Sequence, residues 1–312
     1  MHALVVFFLL VVPFTAVSAL VVLAVVVAQP VKRLSVSADE TDAALAVARQ
    51  VQVRNLAALA SGIAVGAGLG IIVTTYSVQV QWLPVLVPML TAAAAILVFA
   101  RMPIVAFRES PGVRSADLDR RRPWSAGSRW LFIVAGAASV VLVVSLLLIG
   151  ASALPDGRSF GYERGPLSGA TSPYPGFAFG IPALVGLAAL AAAVMIALGR
   201  ITTAGRPTST ALRQVDSVLR QVAVRVVLKT ALSAVLVTIG GVLFIAGGVL
   251  KSASYNLELN SGEQLQPALF IGSVLEPVGV ISLIAGIVFF VLGVMDAIRK
   301  PVQVETVVVS RA

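Results

Sequence analysis

The stretch at residues 207–251 reads PTSTALRQVDSVLRQVAVRVVLKTALSAVLVTIGGVLFIAGGVLK. Its first half repeats every seven residues, because Leu212-Arg213-Gln214-Val215 recurs as Leu219-Arg220-Gln221-Val222. Its second half, residues 226–250, has Lys229 as its one charge and is long enough to cross a membrane. No Pro or Gly interrupts residues 209–239. The stretch therefore predicts one continuous helix, from about residue 208 to about residue 250, that projects into the cytoplasm and then enters the bilayer.

A second copy of this junction lies far upstream. Residues 49–54 read RQVQVR and residues 220–225 read RQVAVR, and each copy precedes a glycine-rich apolar run. Apolar residues at a spacing of three and four before each junction predict two cytoplasmic amphipathic helices, at about 39–54 and 208–225. We expect the apolar stripe of the second helix to dock onto the first. Pairing with a helix of another membrane protein through residues 208–226 is the alternative.

The composition is that of an integral membrane protein. Of the 312 residues, 58% are hydrophobic and 12% are charged, whereas soluble domains carry about 25% charged residues. The apolar residues form runs of about 20, which is the length that spans the hydrocarbon core. The sequence predicts an all-α polytopic protein with one leading helix and three helical hairpins. The seven predicted spans are at about 3–28, 55–76, 82–100, 130–154, 177–198, 226–250 and 277–298.

The basic residues predict the orientation of these spans. When the loops are assigned to alternate sides, one side holds 20 of the 23 Lys and Arg residues and the other holds Arg158, Arg164 and Lys251. Basic residues concentrate on the cytoplasmic side of membrane proteins, so we expect an outside N-terminus and a cytoplasmic C-terminus. Residues 3–28 lack the basic start of a signal peptide, so we expect a retained span. The many arginines, alanines and glycines favour a bacterial inner membrane.

The returning spans begin near prolines and end at Arg101, Arg200 and Arg299, which suggests an internal repeat. The alternative is that proline is simply common where membrane spans start. Residues 155–175, rich in Gly and Pro, predict an irregular outer loop. In the second outer loop, Tyr255, Leu257 and Leu259 alternate in the manner of a short strand.

Three charged residues near the last two spans are candidates for transport or coupling. Glu276 lies on a small-residue stripe, but Pro277 disfavours helix at the preceding position, so we expect the last helix to start at Pro277 with Glu276 at the outer boundary. A binding carboxylate is the alternative for Glu276. We expect Asp296 to pair with Arg299 or Lys300, and Lys229 to reach the cytoplasmic headgroups.

Glycines recur on single faces of two predicted spans. Residues this small let helices approach closely in a membrane. We expect them to pack helices rather than to line a channel; they are Gly62, Gly66 and Gly70 in the second span and Gly279, Gly286 and Gly293 in the last.

No motif for catalysis, metal or cofactor binding occurs in the chain, and the single His and absent Cys exclude His-clustered and thiolate metal sites. The run Arg120-Arg121-Arg122 lacks the aromatics of a nucleic-acid site, and we expect it to contact anionic lipids at the cytoplasmic face. The sequence favours a non-enzymatic subunit, scaffold or accessory factor of a membrane complex. The alternative is a small-solute or ion transporter that uses Glu276.

Overall fold

The computed structural model describes residues 33–76, 83–102, 129–164, 167–204, 210–262, 264–298 and 303–307. The described chain is mostly helical, with two small two-stranded sheets. The helices are α1 (Ala38–Tyr76), α2 (Leu83–Arg101), α3 (Arg129–Ala151), α4 (Phe177–Thr203), α5 (Thr210–Ser261) and α6 (Gln266–Ile298). The strands are β1 (Arg33–Ser37), β2 (Phe160–Arg164), β3 (Leu167–Thr171) and β4 (Gln303–Val307).

All six helices of the described residues contain a segment long and apolar enough to cross a membrane. Four of the predicted spans lie within a helix, the span predicted at 82–100 matches α2 except for its first residue, and the span predicted at 130–154 matches α3 except at its end. The predicted first span, 3–28, lies outside the described residues. The multi-pass membrane class that the composition predicted is therefore supported by six helices.

Helix α5 lies at the centre of the bundle. It contacts each of the other five helices and also strands β1, β2 and β3. Two thirds of its most apolar segment is buried inside the protein, whereas no other helix buries more than a third of its own. Helices that face lipid are also apolar on all sides. The central position of α5 is therefore shown by its contacts with other helices and not by its composition.

The predicted continuity of α5 is confirmed, because the helix runs unbroken through the expected membrane surface. The predicted end near residue 250 is wrong by eleven residues. Tyr255 and Leu259 are exposed and Leu257 is buried, all within the last turns of α5, so the predicted strand there is also wrong. No Gly or Pro interrupts residues 249–261. The helix ends before Gly262, whose φ of 73° lies in the left-handed region that commonly terminates helices.

The last helix does not start at Pro277. Helix α6 begins at Gln266 and places Pro277 in its interior, where the ring removes one backbone donor and crowds the preceding turn. Packing against α5 offsets this local cost, because α5 and α6 share the most extensive contact among the described elements. The local preference of the residue before proline is therefore outweighed by tertiary contact.

The predicted loop at 155–175 is irregular at both ends but contains a pair of β-strands that was not predicted. Strands β2 and β3 pair antiparallel, with Phe160 opposite Thr171 and Arg164 opposite Leu167, and both contact α5. Strands β1 and β4 form a second, parallel pair that joins the chain before α1 to the chain after α6. A parallel pair between segments about 270 residues apart leaves no local pattern in the sequence, so it was not predicted.

Candidate functional site on the α5–α6 hairpin

The faces of α5 and α6 meet along a line of glycines. A Cβ atom added to Gly279 would lie 2.6 Å from the backbone nitrogen of Phe244, and one added to Gly240 would lie 2.7 Å from the carbonyl oxygen of Gly279. A Cβ added to Gly286 would lie 2.9 Å from the backbone nitrogen of Val237. Backbone atoms cannot move aside as a flexible side chain can, so these positions exclude any larger residue. The two helices are in backbone contact here, with no space for water or a solute.

Other glycines of the same helices face open space. No atom lies within 4 Å of a Cβ added to Gly241 or Gly248, each of which follows a glycine of the contact line. At the far end of α6, Gly293 is in ordinary contact with the side chain of Lys229, at 3.4 Å. The close approach is therefore confined to one face of α5, and the outward glycines provide matched controls.

The second glycine series packs less tightly. A Cβ added to Gly62 would lie 3.1 Å from the Cβ of Ala95, and one at Gly66 would lie 3.3 Å from the side chain of Thr91. Gly70 has no atom within 4 Å of that position. Helices α1 and α2 thus approach closely at one end of the glycine series and separate toward Gly70.

Lys229 and Asp296 form an ion pair between α5 and α6. The Lys229 Nζ donates to Asp296 Oδ2 at 2.8 Å, and the two side chains are only 15% and 16% exposed. Lys229 is thus paired across the hairpin, and its predicted reach to the cytoplasmic headgroups stays a prediction. Arg299 and Lys300, the partners predicted for Asp296, lie outside the described residues.

Glu276 pairs with Lys251 near the other end of the hairpin. The Lys251 Nζ donates to Glu276 Oε2 at 2.7 Å, and each side chain is about one third exposed. Glu276 lies ten residues inside α6 rather than at its start. Glu276 is therefore not at the start of a helix, and its charge is paired with Lys251 of the neighbouring helix instead.

The two ion pairs are separated by about one hydrocarbon thickness. Lys229 and Lys251 are 22 residues apart in α5, which corresponds to about 33 Å. Glu276 and Asp296 are 20 residues apart in α6, or about 30 Å. The hydrocarbon core of a bilayer is also ~30 Å thick. The three sequence candidates for transport thus lie at the two ends of a membrane-sized segment, and the glycine line occupies the middle.

Three side chains to which the sequence analysis gave no role cap helix ends at the Lys229 end of the bundle. Arg200 Nη1 donates to Ala100 O at 2.6 Å, and Asn55 Nδ2 donates to Ala297 O at 3.0 Å. Arg220 donates to Ile201 O and Ala204 O while its Nε contacts Asp216 at 2.8 Å.

These donors satisfy carbonyls that the last turn of a helix leaves without intrahelical partners. A guanidinium also complements the negative end of the helix dipole. The ends of α2, α4 and α6 are each joined to a neighbouring helix in this way. The recurrent arginine at the end of the returning spans was a usable sequence signal for Arg200, but nothing in the sequence says which carbonyl it reaches.

The opposite end of the bundle is covered by the β2–β3 hairpin and its flanking turns. The Asp156 carboxylate accepts from the backbone N–H of Arg158 and from the backbone and hydroxyl of Ser159. The Arg158 and Ser159 hydrogen bonds lower the pKa of Asp156.

Tyr174 is buried, forms a hydrogen bond with the Ser152 hydroxyl at 2.7 Å and contacts the Phe160 ring. Burial raises the pKa of Tyr174, and the Ser152 hydrogen bond opposes this. The pKa shifts of Asp156 and Tyr174 are thus explained by local hydrogen bonds and by burial.

Among the described residues, no group of three or more His, Cys, Asp or Glu side chains is placed to hold a metal ion. The chemistry available at the α5–α6 hairpin is charge pairing and close helix contact. No protein-family model matches the chain, and no curated protein or solved structure matches it either.

Proposed function

We propose that the protein is a non-enzymatic subunit, scaffold or accessory factor of a membrane complex. It would span a bacterial inner membrane seven times, with an outside N-terminus and a cytoplasmic C-terminus. The observation that carries this proposal is the position of the two ion pairs, Lys229–Asp296 and Lys251–Glu276, on either side of a glycine contact without a passage. This arrangement suits a rigid hairpin better than a transport path.

A transport site needs polar groups near the middle of the membrane. The charged candidates instead lie about 30 Å apart along the hairpin and are paired with each other. Such pairing lowers the cost of charges at the membrane boundary and leaves neither Glu276 nor Asp296 free for a solute. A cavity between α1, α2, α5 and α6 is lined almost entirely by apolar side chains. These features support the subunit proposal over the transporter alternative.

The proposed docking surface is the part of α5 that extends beyond the membrane-sized segment. Residues 210–228 form a helix of about 28 Å on the Lys229 side. Its apolar stripe is already buried at Val215, Leu219 and Val222, and both α1 and β1 contact α5. The exposed face includes Gln214, Ser217 and Gln221. A partner would therefore recognise a polar helix face.

Purification in mild detergent, followed by mass spectrometry, tests the proposal. The full chain and a Gln214→Glu/Gln221→Glu variant would be compared, with a variant at an exposed apolar site, Ile133→Ala, as the matched control. We expect a stoichiometric partner that is retained by the control and lost from the double variant. A lone monomer in several detergents and in nanodiscs would contradict the proposal. Solute flux in proteoliposomes that disappears with Glu276→Gln would favour the transporter alternative.

A further inference from the structure

A narrow apolar cavity lies between α1, α2, α5 and α6, beside the glycine contact. Its volume is about 360 Å³, within the range of about 300–1,000 Å³ that is usual for ligand sites. Along α1 it extends from Asn55 to Ala67, which corresponds to about 18 Å of helix. This length is close to the ~15 Å depth of one leaflet's hydrocarbon, half of the ~30 Å core.

The shape of the cavity decides what class of molecule fits. The volume of about 360 Å³ is the space open to the centre of a water molecule, so over about 18 Å it gives a mean width of about 5 Å, or about 8 Å between the walls once the ~1.4 Å radius of water is added on each side. A helix with side chains needs about 10 Å and does not fit this width. A single extended hydrocarbon chain does. The walls match such a chain, because Phe99, Val237 and Phe290 are among the lining side chains.

One end of the cavity carries a polar atom without a partner. Asn55 is 5% exposed and lines the cavity. Its Nδ2 donates to Ala297 O, an atom that can only accept, so the remaining amide atom is the acceptor Oδ1. That Oδ1 is buried without a hydrogen-bond partner. A buried acceptor in this state costs free energy unless a donor reaches it, and a ligand hydroxyl or amine in the cavity would supply one.

The residue before Asn55 is a buried cation that contacts Phe99, a lining residue of the cavity. Arg54 is also 5% exposed, its Nε has no hydrogen-bond partner, and its guanidinium carbon lies 4.2 Å from the centroid of the Phe99 ring. No acid of the described residues forms an ion pair with Arg54. A guanidinium buried with an aromatic contact and no anion favours a phosphate as its missing partner.

We propose that this cavity is a binding site for one anionic phospholipid of the leaflet on the Arg54 side. One acyl chain fills the apolar cavity. The phosphate lies against Arg54, and a headgroup hydroxyl donates to Asn55 Oδ1. Phosphatidylglycerol combines the negative charge and the hydroxyl, whereas phosphatidylcholine has neither a net charge nor a donor. This site is independent of whether the protein serves a complex.

Photolabelling of the full chain in nanodiscs tests the site. The probe is phosphatidylglycerol with a diazirine in one acyl chain, diluted in phosphatidylcholine, and the labelled residues are mapped by mass spectrometry. We expect adducts on cavity residues of α1 and α2, and competition by unlabelled phosphatidylglycerol but not by phosphatidylcholine. Arg54→Gln should reduce this labelling about tenfold, the factor that ~1.4 kcal/mol of binding represents. Arg101→Gln removes the same charge at an exposed residue of α2 and should leave it unchanged.

A second pair of variants distinguishes loss of the lipid site from misfolding of the protein. Ala67 and Ala64 are both exposed on α1, one turn apart, but only Ala67 lines the cavity. Ala67→Phe should displace the label and Ala64→Phe should not, with unchanged thermal unfolding of both. The proposal is overturned if phosphatidylcholine competes equally, if labels spread evenly over the lipid-facing helices, or if Arg54→Gln and Ala67→Phe label as the wild type does.

Discussion

At the scale of single residues, the environment of each ion pair decides its contribution to stability. Lys229 and Asp296 are about 15% exposed, whereas Lys251 and Glu276 are about one third exposed. Removing one member of a buried pair leaves an uncompensated charge, at a cost of about 3–5 kcal/mol. Exposed pairs contribute about 0–1 kcal/mol. We therefore expect Lys229→Met to lower the free energy of unfolding by several times more than Lys251→Met, measured by reversible unfolding in detergent micelles.

The double variant Lys229→Met/Asp296→Leu separates pairing from packing. Because it removes both charges together, it should recover most of the stability that Lys229→Met loses. Equal losses for the single and double variants would show that Lys229 acts through its apolar stem rather than through Asp296.

At the scale of elements, the α5–α6 contact depends on the absence of side chains at a few positions. A Cβ at Gly279 would lie 2.6 Å from the Phe244 backbone nitrogen, so the helices would have to separate. Overpacking of this kind costs about 1–3 kcal/mol. We expect Gly279→Ala to destabilise the protein, measured by thermal unfolding in detergent. Gly241→Ala adds the same methyl group to α5 where no atom lies within 4 Å, and should be neutral or stabilising by up to about 1 kcal/mol. Equal effects of the two substitutions would contradict the contact.

At the scale of the whole molecule, the length of helix α5 predicts that its two ends lie on opposite sides of a membrane. Helix α5 has 52 residues, about 78 Å at 1.5 Å per residue, which is more than twice the hydrocarbon thickness. The chain has no cysteine, so single cysteines report sidedness without a background. In intact cells, a membrane-impermeant maleimide should label Ser168→Cys in β3 and leave Ser217→Cys in α5 unlabelled until the membrane is permeabilised. The reverse pattern would overturn the proposed orientation, and labelling of both in intact cells would contradict a spanning α5.

Sequence alone was sufficient for the features that depend on local composition. Runs of about 20 apolar residues identify membrane helices, because lipid offers no hydrogen-bond partners and the backbone N–H and C=O groups must bond with one another. The absence of proline from residues 209–239 predicted the continuity of α5, because proline would have removed a backbone donor from the helix. The glycines of α6 were recognised as candidate packing positions from their seven-residue spacing.

Tertiary structure alone decided which residues meet. Lys229 lies 67 residues from Asp296, and Asn55 lies 242 residues from Ala297. No periodicity in the sequence encodes such pairs, because they arise from the relative rotation and depth of separate helices. The same reason explains the errors at Pro277 and at Tyr255–Leu259. Local preferences favoured a helix start and a strand there, but continuous packing between α5 and α6 outweighed a local cost of a few kcal/mol.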